Sequence, residues 1–329
     1  MKLCKRTLAA FLMLVLFGSV FMIPASAAGW KYDRAYQQYK GKTYTVFGDS
    51  IPTGFDPTRK PLLYGLGDGV NPNAYPEKVA SVTGTKIAQY AYDGCRTKDV
   101  LMMLGGYVIK DRYYAEFLEK GIFAAAKRVP PQASVVKKTL KKSSLITFNI
   151  GNNDIFTGPL IMAGLDIEKL SDVSTKTAKL VQKAVKQGVL TKDFGQLFTT
   201  LNTLGITAVF LSAMLAEMEK AFAEMSVAFP QVIATVKANS DAEVAVVGMF
   251  NPFRSVGTEV AGLKLSQIGD MGVSMVNTYF KSNAAVLGYT YVNVTKAECF
   301  YDVGKNDVHP TPKGHSYMAK QILKAIPHK

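Results

Sequence analysis

Five short runs rich in β-branched and aromatic residues recur along this chain, separated by stretches with helical periodicity. The runs are Thr43–Phe47, Lys86–Tyr92, Ser143–Asn149, Ala242–Phe250 and Tyr289–Val294. Their length and composition are typical of buried β-strands. Helical patterns lie at about 75–82, 97–104, 111–127, 170–187, 206–227 and 262–287, and after Pro312. Strands that alternate with helices predict an α/β fold, with a parallel sheet of about five strands and helices on both faces.

The first residues have the features of a secretory signal. Basic residues precede an apolar run, Leu8–Ile23, and Pro24 is followed by the small residues 25–28. A basic region, a hydrophobic region and an Ala-x-Ala site predict cleavage after Ala27. The alternative is an uncleaved membrane anchor, although the run is short for a span. We therefore expect residues 1–27 to be a signal peptide and the mature protein to be secreted, with no transmembrane span after cleavage.

Residues 28–329 are expected to form a single domain. Residues at about 157–240 form a helical insertion in it, because this segment is longer than a simple crossover needs. Removal of residues 1–27 leaves 36 basic against 25 acidic residues, a net charge of +11. This charge favours loose association with anionic cell-wall or lipid surfaces. We predict no nucleic-acid partner, because the densest basic run, at 137–142, is typical of a solvated helix face.

The spacing of histidines and cysteines does not favour a metal site. The three histidines lie near the C-terminus, and the chain has no His-x-x-x-His, Cys-x-x-Cys or Glu-x-x-His spacing. We therefore predict neither a metal nor a cofactor. Cys95 and Cys299 remain after signal cleavage, and outside the cytosol such a pair either oxidises to a disulfide or stays as two buried thiols.

Four residues that could take part in catalysis follow the predicted strands. Ser50 comes after the first strand, Gly94 after the second and Asn153 after the third, while His309 lies in the loop after the fifth. The carboxyl ends of parallel strands meet at one edge of a sheet, where ligands bind. A serine needs a base to become a nucleophile, and a tetrahedral oxyanion needs preorganised donors. The four positions together predict an acyl-transfer site.

Each residue of this set also has a purely structural interpretation. Ser50 could belong to a turn or a helix cap, and Gly94 could serve a turn with positive φ. Asn153 and Asp154 could form an Asx-turn that caps the next segment. His309 could be a surface loop residue. All these alternatives would have to hold together by coincidence, so we favour the shared site.

Four sequence blocks carry a resemblance to a known family. They are Gly48-Asp49-Ser50-Ile51, Gly94, Gly151-Asn152-Asn153-Asp154 and His309-Pro310. With these blocks in this order, the sequence resembles the GDSL family, or SGNH hydrolases, of secreted esterases and lipases. The resemblance extends over essentially the whole mature chain. It implies a flavodoxin-like three-layer α/β/α sandwich, the SGNH hydrolase fold.

The resemblance also implies roles for individual residues. Ser50 is the expected nucleophile and His309 the expected general base. The backbone N–H groups of Ser50 and Gly94 and the side-chain amide of Asn153 are the expected oxyanion hole. Asp154 is interpreted as a supporting residue that holds the Asn153 loop.

Two positions depart from the family pattern. The family usually carries an Asn ahead of the second-block glycine, whereas residues 89–93 here are QYAYD. It also usually has an Asp three residues before the His, where this chain has Asn306. We predict that Asn306 supplies the acceptor that orients His309, because a residue two positions before His309 should point away. Asp307 is the rival, since it brings a charge; Asp302 reaches only if the loop folds back.

The combined expectation is a secreted serine esterase or lipase that cleaves carboxylic esters through an acyl-enzyme on Ser50. Its substrate is a small-molecule or polymer ester. A carbohydrate or cell-wall O-deacetylase of the same fold is the alternative within the hydrolases. From another class, the alternative is a non-catalytic, wall-associated or ligand-binding protein on a hydrolase scaffold.

Overall fold

A parallel sheet of five strands forms the centre of the described chain. Its strands are β1 (Thr43–Gly48), β2 (Lys86–Gln89), β3 (Ser143–Asn149), β4 (Glu243–Val247) and β7 (Thr290–Val292), in the spatial order β2-β1-β3-β4-β7. A separate antiparallel pair consists of β5 (Glu259–Val260) and β6 (Leu263–Lys264). The prediction of a parallel sheet of about five strands is confirmed.

The computed structural model describes residues 29–56, 58, 65, 70–115, 131–170, 172–191, 195–255, 259–260, 263–300 and 307–328. The predicted signal peptide, Asp302, Asn306 and most of the predicted helix at 111–127 lie outside these residues. Among the described helices, none is long and apolar enough to cross a membrane.

Helices are present at the predicted positions 75–82, 97–104, 170–187, 206–227 and 262–287 and after Pro312, and the one that begins near 206 extends ten residues further than predicted. The described helices are α1 (Ser50–Thr53), α2 (Tyr75–Thr83), α3 (Thr97–Met103), α4 (Ala133–Leu140), α5 (Gly158–Leu165), α6 (Thr175–Thr191), α7 (Gly195–Thr203), α8 (Thr207–Lys237), α9 (Leu265–Leu287) and α10 (Pro312–Ala325). Short 3₁₀ turns occupy Arg34–Tyr39 and Ile167–Lys169, and a π-helical turn occupies Asn153–Thr157.

The sheet separates two hydrophobic layers. Successive side chains of a strand point to opposite faces. Tyr44 and Val46 accordingly pack with α2 and α10, while Phe47 packs with the larger group of helices on the other side. Leu145 and Ile146 of β3 divide between the layers in the same way. This arrangement of helix, sheet and helix is the three-layer α/β/α sandwich that was predicted.

Helices α5 to α8 fill the segment between β3 and β4, where a helical insertion at about 157–240 is expected. The longest, α8, carries an apolar stripe at steps of three and four residues. Phe210, Met214, Met218, Met225 and Phe229 of this stripe are buried in the larger hydrophobic layer. The stripe is therefore a packing surface of the core.

Cys95 and Cys299 are buried and are not joined in a disulfide. Cys95 follows β2 and Cys299 follows β7, which are the two edge strands of the sheet. Four strand spacings of about 4.8 Å place those strands roughly 19 Å apart. The two residues also belong to hydrophobic layers on opposite faces of the sheet. The sequence left open a disulfide or two buried thiols, and the structure has two buried thiols that are not bonded to each other.

Candidate active site

Ser50 lies at the turn that leads from β1 into α1. Gly48 allows this turn, because its φ is +149° and a Cβ there would lie 2.3 Å from the Asn149 carbonyl oxygen. Asp49 caps α1, and its Oδ1 accepts a hydrogen bond from the Ile51 N–H (2.9 Å). Gly54 ends the helix in the left-handed region. The nucleophile candidate is thus held rigidly at the carboxyl end of a central strand.

His309 contacts Ser50 from the loop after β7, which is an edge strand of the sheet. Its strand, β7, lies three positions from β1, or roughly 14 Å at the usual strand spacing. The long loop after β7 covers this distance, and two backbone hydrogen bonds fix its end, from Phe300 N–H to the His309 carbonyl (2.9 Å) and from Thr311 N–H to the Glu298 carbonyl (3.0 Å). His309 Nε2 then lies 2.8 Å from Ser50 Oγ.

The acceptor found beside His309 Nδ1 is the carboxylate of Asp307, the rival candidate for the orienting residue. Asp307 Oδ1 lies 2.8 Å from His309 Nδ1 and also accepts the His309 backbone N–H at 2.8 Å. This double contact is an Asx-turn, in which a side chain folds back onto the backbone two residues ahead. The argument that a residue two before His309 points away therefore fails. Asn306 itself lies outside the described residues.

The histidine is enclosed as well as oriented. Only 6% of the His309 side chain and 5% of the Asp307 side chain are exposed. The ring of Phe55 lies against the imidazole, with 4.5 Å between the ring centroids. Burial strengthens a charge-assisted hydrogen bond, because little water competes for its partners.

Gly94 and Asn153 follow β2 and β3, the two strands that neighbour β1 on either side. Gly94 adopts a φ of +79°, a value that suits glycine. Asn153 Nδ2 donates to the Cys95 carbonyl (3.2 Å) and to Asp49 Oδ2 (3.4 Å). These contacts connect Asn153 to the residue after Gly94 and to the residue before Ser50. The predicted residues thus converge on one edge of the sheet.

Asp154 connects the Asn153 turn to the helix that follows Gly94. Its two carboxylate oxygens accept from the Thr97 N–H at 3.1 and 3.0 Å, and its Oδ2 also accepts from Thr97 Oγ1 at 3.2 Å. Thr97 begins α3, so the carboxylate lies at a helix N-terminus, where negative charge is favourable. Burial raises the pKa of Asp154 to about 6. Asp154 has the position expected of a residue that holds the Asn153 loop.

Asp49 is a site residue that the sequence analysis named only as a member of the Gly48-Asp49-Ser50-Ile51 block. It is fully buried, and besides capping α1 it accepts from Asn153 Nδ2 (3.4 Å) and Asn152 Nδ2 (3.5 Å) through Oδ2. Burial raises the pKa of Asp49 to about 7, although the Ile51 N–H and nearby His309 act in the opposite direction. The only sequence signal for a role of Asp49 was its position directly before Ser50 at the end of a strand. That position does not indicate the contact of Asp49 with the amides of Asn152 and Asn153.

A buried arginine supports the turn that carries Gly94. Arg96 pairs with Asp99 (3.2 Å) and Asp111 (2.7 Å), and its guanidinium lies 4.0 Å from the centroid of the Tyr113 ring. The Tyr113 hydroxyl in turn donates to the Gly94 carbonyl (2.9 Å). Sequence reasoning missed this cluster, because Asp111 and Tyr113 approach Arg96 only through the folding of the loop after α3.

His315 does not contact the Ser50–His309 pair and is a packing residue. It is buried, and its Nδ1 accepts from the Tyr75 N–H at 3.4 Å. Burial lowers the pKa of His315 to about 3, so the ring is neutral at physiological pH. In the part of the chain that the structure describes, no three His, Cys, Asp or Glu side chains are grouped as a metal would require.

This geometry is suited to proton transfer from a serine. The imidazole is within hydrogen-bond distance of Ser50 Oγ on one side and of a carboxylate on the other, so it can accept the hydroxyl proton and remain stabilised when charged. The Asn153 side-chain amide, held near Asp49 and Cys95, is a donor of the kind that an oxyanion requires.

Comparisons with known proteins found one family model and several solved structures that are similar to this chain. A family model described as GDSL-like Lipase/Acylhydrolase matches residues 44–322. An extracellular lipase from Streptomyces rimosus has 18% sequence identity and a TM-score of 0.49, with 87% of this chain and 100% of that one covered. Phospholipase A1 from Streptomyces albidoflavus NA297 has 19% identity and a TM-score of 0.48, with the same shares covered. An aryl esterase from M. smegmatis has 12% identity and a TM-score of 0.36, again with 87% and 100% covered.

No curated protein matches the chain significantly. The family match covers most of the chain and includes every candidate residue, from Ser50 to His309. The chain therefore belongs to the GDSL-like lipase/acylhydrolase family and is a hydrolase of ester bonds.

Proposed function

We propose that this hydrolase is an exported serine esterase or lipase that cleaves carboxylic esters through an acyl-enzyme on Ser50. One observation carries the proposal: the continuous contact from Ser50 Oγ through His309 to the Asp307 carboxylate, with both distances at 2.8 Å. These three groups have the order of nucleophile, base and orienting acid in serine hydrolases.

The reaction begins when Ser50 Oγ attacks the ester carbonyl and its proton passes to His309 Nε2. The Asp307 carboxylate holds Nδ1–H and stabilises the imidazolium. The tetrahedral intermediate collapses when His309 returns the proton to the departing alcohol. Water then attacks the acyl-enzyme with His309 again as base, which releases the carboxylic acid and restores Ser50.

The oxyanion is stabilised by the N–H groups of Ser50 and Gly94 and by Asn153 Nδ2. In the structure Asn153 Nδ2 has two acceptors, Cys95 O and Asp49 Oδ2. The Asp49 contact is the longer of the two, at 3.4 Å, and we expect the oxyanion to replace it. Asp49 then acts as a positioning residue that keeps the amide turned toward the site before substrate arrives.

Export is part of the same proposal. The order of basic residues, apolar run and Ala-x-Ala site at residues 1–27 supports it. N-terminal sequencing of the protein from the medium of an expressing culture tests it, since a secreted chain should begin at Ala28. Retention of residues 1–27 on the mature protein would favour the membrane anchor instead.

Ser50→Ala tests the assignment directly. The variant should lose turnover of p-nitrophenyl acetate and labelling by a fluorophosphonate, because no other group replaces the nucleophile. Ser226→Ala is the matched control, since that hydroxyl donates only to the Ala223 carbonyl within α8. A folded Ser50→Ala protein with normal activity would refute the proposal. A panel of acyl chain lengths and acetylated polysaccharides then separates an esterase or lipase from an O-deacetylase.

A further inference from the structure

Helix α6 carries an unusual distribution of charge. It contains Lys176, Lys179, Lys183 and Lys186 and no acidic residue. Over residues 173–216 the sequence has five lysines and one aspartate. The four lysines of α6 are three, four and three residues apart, which places them along one face of the helix.

The packing of α6 fixes which face meets solvent. Ala178, Val181, Ala184, Val185 and Val189 are buried in the larger hydrophobic layer. All four lysines are exposed on the opposite side. The helix is therefore anchored by its apolar face.

Two leucines interrupt this exposed surface. Leu180 is 43% exposed and Leu190 is 60% exposed, and they lie four residues from Lys176 and Lys186 respectively. Leu180 lies between Lys179 and Lys183 in the sequence, and Leu190 follows one turn after Lys186. We call the four lysines and these two leucines the lysine face.

The acidic groups described around α6 lie at one end and flank of it. Glu168 accepts from Gln182 Nε2 (2.8 Å), and its other oxygen lies 3.6 Å from Arg112. Asp166 pairs with Arg112 (2.7 Å) and Lys169 (2.9 Å). Asp172 is exposed just before the helix begins. None of these described carboxylates forms an ion pair with Lys179 or Lys183.

We propose that the lysine face docks this protein on a bilayer that contains anionic phospholipids. Lysines attract the headgroup phosphates, while exposed leucines enter the boundary of the acyl chains. The combination favours a membrane over a soluble or wall polyanion, because only a membrane offers the leucines an apolar phase. The inference does not depend on the role of Ser50.

The experiment is sedimentation of the mature protein with vesicles of phosphatidylcholine and phosphatidylglycerol. Wild type should bind these vesicles at low salt and should not bind phosphatidylcholine vesicles. Lys179→Ala/Lys183→Ala should weaken binding about 25-fold, at about fivefold for each lysine near an anionic surface. The matched control is Lys141→Ala/Lys142→Ala, which removes the same charge from exposed lysines elsewhere and should leave binding within about twofold.

A second variant tests the apolar part of the proposal. Leu180→Asn/Leu190→Asn keeps every lysine and should still reduce vesicle binding. Both α6 variants should keep wild-type turnover of a soluble ester, which also reports that they fold. Absence of vesicle binding by wild type, or equal losses in the control pair, would overturn the proposal. Vesicle binding that is unchanged in Leu180→Asn/Leu190→Asn and is competed by polyphosphate would also overturn the proposal. That result would indicate a polymer partner.

Discussion

Asp307 has a position that chain geometry alone made improbable. A carboxylate two residues before a histidine reaches Nδ1 only because the same oxygen accepts the histidine backbone N–H. The Asx-turn therefore fixes the loop and orients the imidazole at the same time. A residue with both tasks should be hard to replace.

We expect Asp307→Ala to lower kcat about 10³- to 10⁴-fold, the range typical of losing the acid of a catalytic triad. The loss arises because His309 is left without an anionic partner for its imidazolium. Initial rates with p-nitrophenyl acetate measure it, and circular dichroism verifies folding. Asn306→Ala is the natural comparison and should lose less than about tenfold. The reverse ranking of the two variants would return the orienting role to Asn306.

Asp49 is the second carboxylate to which we assign a role in the site. Asp49→Asn keeps an oxygen for the Ile51 N–H but turns an amide toward the amides of Asn152 and Asn153. Two donors then face each other, and Asn153 should turn away from the oxyanion. We expect kcat to fall by up to about 10²- to 10³-fold, the cost of one oxyanion donor, with KM little changed. An unchanged kcat would mean that Asp49 only caps α1.

The same substitution has a signature in the pH dependence of stability. The folded-state pKa of Asp49 is raised to about 7, from the ordinary value of 3.8. Between these values the folded state keeps the proton that the unfolded state has lost, so wild type loses stability as the pH rises. The amide introduced by Asp49→Asn does not titrate. The Tm of the variant minus that of wild type should therefore increase from pH 4 to pH 8, as measured by thermal melts. A constant difference would contradict the raised pKa.

At the scale of elements, the turn after β2 depends on the loop that follows α3. Arg96 lies between Asp99 and Asp111 and stacks on Tyr113, which holds the Gly94 carbonyl. Lys98 extends the network, with Nζ 2.7 Å from Asp111 and 2.6 Å from Glu224 on α8. The geometry of the oxyanion side thus rests on contacts among three elements.

Arg96→Met should lower the free energy of unfolding by about 3–5 kcal/mol, because it leaves the buried carboxylate of Asp99 without its guanidinium partner. Urea denaturation measures this change. Arg34→Met, at an exposed position, is the control and should stay within about 0.5 kcal/mol of wild type. Equal stability of the two variants would show that the arginine cluster is not a structural support.

At the scale of the whole molecule, the reactivity of the two cysteines tests the strand order of the sheet. The mature chain, unfolded without reductant, should expose two reactive thiols to a thiol reagent, because Cys95 and Cys299 belong to opposite layers. A reducing agent should leave the Tm of the folded protein unchanged. Failure of both thiols to react in the unfolded chain would indicate a bridge and a different arrangement of the loops after β2 and β7.

The sequence by itself determined the layers, the strand positions and the residues that meet at the sheet edge. These properties depend on local periodicity and on a general rule, that parallel strands deliver the ends of their loops to the same edge. Ser50 and His309 were predictable for this reason, since each follows a strand whose pattern is clear. Their contact required only that the loop after β7 be long enough to cross the sheet.

Tertiary structure alone decided which acceptor meets His309, what Asp49 contacts and whether the cysteines bond. Each depends on how a loop without periodicity folds, and side-chain direction there follows from hydrogen bonds over distances that spacing does not encode. Asp307 folds back by an Asx-turn, and Asp49 meets Asn153 across 104 residues of sequence. The strand order placed Cys95 and Cys299 at opposite edges. Periodicity reports which side of an element is buried, whereas strand order and loop conformation result from the packing of the whole chain.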